Sequence, residues 1–238
     1  MNIIETILTI PKELPPNAIE TSFQPTPVWE FKNVFNSLEC QQIIHHFSKH
    51  PSYGVGVQGL TTDSGIGSQR VSAFDINFTK LLDQKLKALI HNLHPLHNYS
   101  INEYSKVDAS SGLWSYQHVS PYFRYMRYSK DGHHAVHYDS PHKINDNLQT
   151  LLSGVIYLTT NDSCPTVFID DKQDELLFKD RNTRDWLIPF EQEQVTCKSY
   201  PETGKVILFE HQQAHAVEPL LKDEDRIIIR FDVYYSKD

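Results

Sequence analysis

Arg226-Ile227-Ile228-Ile229-Arg230-Phe231-Asp232-Val233-Tyr234-Tyr235 is the stretch on which the fold turns. Read as an extended strand, it sets Arg226, Ile228, Arg230 and Asp232 on one side and Ile227, Ile229, Phe231 and Val233 on the other. The second side is wholly apolar and must be buried. If the first side faced water, this would be an ordinary half-buried strand, which is the commoner case. If helices covered the outer surface of a barrel, the charged side would instead line the barrel interior. Arginines there need anions, because an unpaired charge in an apolar interior is costly.

The surrounding sequence favours the second arrangement. Upstream, Ser37 can cap a helix through Leu38, Ile43, Ile44 and Phe47, and a second helix is expected from about Phe78 to Leu93. After about residue 120 short strand-like runs dominate: Tyr122 to Tyr128 before a Lys130-Asp131-Gly132 turn, Leu151 to Leu158, Thr166 to Ile169, and Lys205 to Phe209. Residues 213–218 and 226–235 are expected to pair with each other. The fold class is mainly β with flanking helices, built on a double-stranded β-helix (jelly-roll) core. Residues 1–28, dense in proline, read as an extended arm. Residues 29–238 read as a single domain, with helical support over about 29–113 and the core over about 114–238. The glycine-rich stretch 53–68 and the segment from Ser140 to Asn147 are candidate lids.

A net charge of -8 disfavours a nucleic-acid track, which needs a basic stripe. Three cysteines without a CxxC pair suggest neither a disulfide framework nor a thiolate zinc site. Neither a leader nor a membrane-spanning run is visible, so a cytoplasmic protein without membrane partners is expected.

Against this background His137-Tyr138-Asp139 stands out. In extended chain its imidazole and carboxylate share a face. His215 supplies a second imidazole, with His211 as its rival, and the blander alternative is a surface His–Asp hydrogen bond. Two histidines and a carboxylate bind one metal ion facially and leave three positions open. Arg226 would give an anionic co-substrate a bidentate partner.

The ordered motifs are these: Arg127-Tyr128, a turn at Gly132, His137-x-Asp139, Tyr157-Leu158, Thr166-Val167-Phe168, and then Gly204 through Phe209-x-His211, His215, Arg226 and Arg230-Phe231-Asp232-Val233. In this order the chain from about Trp114 to Tyr235 resembles the catalytic domain of Fe(II)/2-oxoglutarate-dependent dioxygenases, and among them the prolyl 4-hydroxylase-like branch. Two departures are a Ser163-Cys164-Pro165 rim where the branch has paired glycines, and a longer run from His215 to Arg226.

The resemblance implies that His137, Asp139 and His215 bind Fe(II). It implies that Arg226 holds the far carboxylate of 2-oxoglutarate, where many relatives use lysine. Tyr128 would hydrogen-bond that co-substrate, with Tyr157 or Thr166 nearby, and Arg230 shares the face of Arg226 and could contribute. No catalytic residue beyond the metal centre is implied. His134 and Arg124 are candidate substrate contacts. The implied activity is hydroxylation of a C–H bond in an amino acid or peptidyl residue, proline among them, using O2 and releasing succinate and CO2, with ascorbate a candidate accessory reductant. Halogenating relatives replace the triad carboxylate by a small residue; Asp139 is present, which favours hydroxylation. The alternatives are an AlkB-like nucleic-acid demethylase and a non-catalytic jelly-roll binding module.

Overall fold

The computed structural model describes residues 19–22, 28–49, 65–91, 114–172, 190–211 and 213–237. Most of the expected arm, and the glycine-rich stretch as far as residue 64, lie outside these residues. The elements in chain order are β1 (Ile19–Ser22), β2 (Val28–Lys32), α1 (Ser37–Ser48), β3 (Gly65–Phe74), α2 (Ile76–His91), β4 (Trp114–Val119), β5 (Tyr122–His137), β6 (Lys143–Asn145), β7 (Leu148–Tyr157), β8 (Thr166–Ile169), β9 (Val195–Ser199), β10 (Val206–Glu210), β11 (His215–Val217) and β12 (Arg226–Lys237). All twelve strands join one sheet whose main path runs β1-β2-β10-β7-β12-β5-β11-β8-β9, with β3 on β5, β4 on β12 and β6 on β7. This is a jelly-roll barrel.

β12 fixes how the barrel is filled. Ile227, Ile229, Phe231 and Val233 belong to the larger core cluster, together with Phe47 of α1 and Phe78, Leu82 and Leu86 of α2. Phe47 stacks on Tyr125 of β5, with ring centroids 5.7 Å apart. The two helices therefore cover the outside of the sheet. Ile228 belongs to a second cluster with Met126, Tyr128, Val155, Tyr157, Phe168 and Phe209, which fills the inside. Both faces of β12 are buried from Arg226 to Tyr235. The charged face of the quoted stretch thus lines the barrel interior. β7 approaches β12 closely because Gly154 faces Phe231 in register; a Cβ at Gly154 would lie 2.1 Å from the Phe231 ring.

Several details differ from the sequence-based expectation. The residue capping α1 is Asn36, not Ser37: its side chain accepts the Glu39 N–H at 2.9 Å, and the Glu39 carboxylate accepts the Asn36 N–H at 2.7 Å. Asn36 and Glu39 have the spacing this reciprocal box needs, whereas from Ser37 the third position is Cys40, which cannot return the bond. The second helix starts earlier, at Ile76, because Asp75 accepts the Phe78 N–H at 2.9 Å. β11 and β12 do not pair with each other; β5 lies between them and bonds both. The chain between β11 and β12 therefore crosses over β5, as jelly rolls require, where local reading favours a hairpin. β5 also does not stop at the Lys130-Asp131-Gly132 turn: it runs on to His137, absorbing the turn with Asp131 at φ 65°.

Candidate metal centre and its cavities

Strand register assembles the site. His137 ends β5, His215 opens β11, and the two face each other as paired residues of the ladder. Asp139 lies just beyond β5 and is buried. One ligand atom from each of His137, Asp139 and His215 lies within 4.8 Å of the others, a group able to hold a metal ion.

The hydrogen bonds around the group set its chemistry. Nδ1 of His137 lies 2.9 Å from the Ala135 carbonyl, and Nδ1 of His215 lies 2.9 Å from the Gln213 carbonyl. Each ring therefore carries its proton on Nδ1 and turns the Nε2 lone pair toward the group, which is the tautomer a metal ligand needs. Burial, followed by the neighbouring His215, pushes His137 down to about 3, and burial lowers His215 as well, so both rings are neutral. Burial opposes ionisation of Asp139, but the Arg230 guanidinium holds its carboxyl well below the ordinary range. Ser153 of β7 donates to Asp139 at 2.6 Å, and Arg230 Nη2 lies 3.2 Å from it. His211 is outside the group: it is fully buried, with Nε2 3.4 Å from Asp232.

Arg226, at the start of β12, faces Tyr128 of β5 in register and is fully buried. Its guanidinium carbon sits 4.9 Å from the Tyr128 ring centroid and 5.5 Å from that of Tyr157. Nη2 donates to Thr166 Oγ1 at 2.9 Å, while Nε and Nη1 have no hydrogen-bond partner among the described residues. Tyr157 stands behind, its hydroxyl 2.8 Å from Thr166 Oγ1 and within 3.3 Å of Ser199. The Tyr128 hydroxyl lies 3.8 Å from Met126 Sδ. A buried cation with two open donors lacks something: each unmade bond of this kind costs roughly 1–3 kcal/mol. Arg230 is different. It is held between Asp139 and Asp232, 2.7 Å from the latter, and also reaches Ser153 at 3.1 Å.

A cavity of about 300 Å³ joins these parts, lined by His137, Asp139, His215, Tyr128, Thr166, Arg226, Arg230, Arg124 and His134 among others. Burial, then the nearby His137, pushes His134 down to about 3. The structure thus gathers the three ligand candidates, Arg226, Tyr128, Thr166, Arg230, His134 and Arg124 around one space, with Tyr157 just behind it. Sequence reasoning missed Ser153, a small polar residue in an apolar run, and Arg70, which lines the same cavity from β3. Only the alternation of β7 and β3 hints at them.

Residues 125–232 match the family described as "Putative 2OG-Fe(II) oxygenase". This segment is a 2OG-Fe(II) oxygenase domain. The oxygenase fold extends beyond the matched segment. HygX from Streptomyces hygroscopicus, with nickel and 2-oxoglutarate bound, superposes with a TM-score of 0.54 at 15% identity over 90% of this chain and 84% of its own. A prolyl hydroxylase from Trichoplax adhaerens, in complex with a peptide fragment of the hypoxia inducible factor oxygen degradation domain, gives 0.55 at 13% identity over 89% of this chain and 85% of its own. No curated protein matches the chain at a significant level of sequence similarity. No helix among the described residues is long and apolar enough to cross a membrane.

Proposed function

We propose that the enzyme hydroxylates a C–H bond of an amino acid or a peptidyl residue, with His137, Asp139 and His215 holding Fe(II) and Arg226 holding 2-oxoglutarate. The observation that carries this reading is one cavity containing a neutral-imidazole and carboxylate group at one place and, at another, a buried arginine with two donors unpartnered among the described residues. The donor set suits ferrous iron, and the open Nε and Nη1 of Arg226 suit a carboxylate, which guanidinium binds in bidentate fashion.

Bound together, Fe(II) and 2-oxoglutarate supply oxidative decarboxylation to succinate and CO2, coupled to insertion of one oxygen atom from O2 into a C–H bond. The chain's own residues bind and orient. The Ala135 and Gln213 carbonyls fix the two imidazole tautomers. Ser153 and Arg230 hold the Asp139 carboxylate charged and turned to the site. Thr166, itself bonded to Tyr157, orients Arg226. Met126, Val155, Phe209, Val217 and Ile228 give the cavity its apolar walls. Support for a peptidyl substrate comes from the prolyl hydroxylase neighbour, whose structure contains a peptide fragment.

The test is incubation of the protein with Fe(II), ascorbate, 2-oxoglutarate, O2 and a panel of amino acids and proline-containing peptides, with succinate and product mass measured together. One substrate should gain about 16 mass units, one succinate forming per product when the two are coupled. His215→Ala should abolish this, whereas His211→Ala should retain iron. Repair of methylated oligonucleotides in place of hydroxylation would assign the chain to nucleic-acid demethylation. Failure to bind iron at all would leave a non-catalytic jelly-roll module.

A further inference from the structure

A second group of cations lies toward the other end of the cavity from Arg226. Arg124 of β5 faces Arg230 of β12 across one ladder and Ser72 of β3 across the other. Arg70 lies on the same face of β3 as Ser72, and both line the adjoining space. Arg70, Arg124 and Arg230 line the inner cavity of about 300 Å³ and also an outer one of about 600 Å³, so they ring the junction between the two. The outer cavity is walled by Phe74, Tyr122 and His142, two of which are strongly exposed aromatics: Phe74 at 59% and Tyr122 at 56%.

The three arginines differ in what neutralises them. Arg230 is bracketed by Asp139 and Asp232. The side chains of Arg70 and Arg124 make no hydrogen bond and no ion pair among the described residues, although Asp139 attracts both through space and Asp232 attracts Arg124. Like charges held side by side across a sheet are destabilising. Burial, then the charges of Arg230 and Arg70, push Arg124 down to about 10. Asp139 and Asp232 are the two carboxylates facing the three arginines, so one positive charge is left over. An arriving anion would explain it.

That anion is not 2-oxoglutarate. Arg226 and Arg230 are four residues apart on β12, roughly 13 Å at about 3.3 Å per residue. Asp139 of the metal group lies at the Arg230 end, 3.2 Å from that guanidinium. A dicarboxylate reaching from the metal group to Arg226 therefore runs away from Arg124, while Arg70, opposite Met126, stands between the two levels. We infer that Arg70 and Arg124 form an oxyanion subsite that holds a carboxylate or phosphate of the substrate at the junction of the two cavities, its less polar part resting against Phe74 and Tyr122. This rests on the reading of the inner cavity as the iron and 2-oxoglutarate site. It narrows the substrate class to an anionic molecule, such as a free acid, over the neutral interior of a long peptide.

The test is calorimetric titration of the protein loaded with Mn(II) and 2-oxoglutarate, and of the metal-free protein, with three probes: inorganic phosphate, N-acetylglycine and neutral N-acetylglycinamide. Phosphate and N-acetylglycine separate the two oxyanion chemistries. At least one should bind about tenfold or more tightly than the amide, the usual margin for a charge-assisted hydrogen bond. Arg124→Met and Arg70→Met should each erase that margin, and Arg124→Lys should restore most of it, which also answers any loss of folding in the methionine variants. Affinity for 2-oxoglutarate should not change in any of them. Equal binding of the amide, or wild-type oxyanion binding in both methionine variants, would overturn the subsite. So would a loss confined to 2-oxoglutarate. Failure of the unmodified protein to bind Mn(II) or 2-oxoglutarate would overturn the iron reading instead, while the metal-free titration would still report on the subsite.

Discussion

Arg226 and Arg230 share a strand face and a residue type, yet their surroundings give them different work. Arg230 already has two carboxylates and a hydroxyl. Arg226 has one hydroxyl and two open donors in a fully buried position. From sequence both could anchor 2-oxoglutarate, because alternation places them on the same side and says nothing about partners that arrive from β7 and β8. With the partners in view, Arg226→Ala is expected to raise the 2-oxoglutarate requirement by about tenfold or more, since losing a buried charge-assisted pair costs on the order of 2–5 kcal/mol. Arg230→Ala should act on the metal group instead, weakening iron binding through Asp139 with little change in the 2-oxoglutarate requirement at saturating iron. Initial rates across a 2-oxoglutarate series, and iron titrations of both variants, check the pair. The reverse pattern would exchange their roles. The clustering of His137, Asp139 and His215 was legible residue by residue, because His-x-Asp in extended chain and a later histidine carry their chemistry in type and spacing. Ser153, which orients Asp139, was not, since a serine in an apolar strand has no signature of its own.

At the scale of elements, periodicity found both helices and most strands, and local chemistry misplaced their ends. The Asn36–Glu39 box and the Asp75 cap move two helix starts by one or two residues. The pairing of β11 with β5 and β8 could not be read locally, because the intervening strand comes from far earlier in the chain. Asp75 joins α1 to α2 as well as capping α2, because His46 Nε2 lies 2.9 Å from its other oxygen. Burial raises the cost of its charge, but the His46 bond and the Phe78 N–H outweigh that and hold its carboxyl below the ordinary value. A carboxyl lowered in the folded state adds stability above its unfolded value, roughly pH 4, and loses it as pH falls through the lower folded value. Asp75→Asn keeps the cap but not the charge. It should therefore be less stable than wild type at neutral pH, and the gap should close as pH falls through the lowered value of the folded carboxyl. Urea unfolding midpoints at several pH values measure this; a gap constant with pH would show that the charge contributes nothing.

Taken whole, the molecule places its binding groups on separate strands that only the closed barrel brings together. The inner cavity is lined from β3, β5, β7, β8, β10, β11 and β12. A ligand held by these walls is bound by the folded chain and not by the unfolded one, so binding must stabilise the fold as a unit. At a free concentration of 100 times its dissociation constant, such a ligand adds about 2.7 kcal/mol. For a domain of this size each kcal/mol raises the melting temperature by about 2–4 °C, so saturation should raise it by roughly 5–10 °C. The buried groups divide that gain. Mn(II) alone should raise the melting temperature of the wild type and of Arg226→Ala, but not of His137→Ala. Adding 2-oxoglutarate to the Mn(II)-loaded protein should raise it again in the wild type and much less in Arg226→Ala, because the second increment depends on the open donors at the far end of the cavity. Thermal melts of the three proteins with and without each ligand decide this. A full second increment in Arg226→Ala would mean that the co-substrate carboxylate rests elsewhere, and the unpaired N–H donors of the buried arginine would then need another explanation.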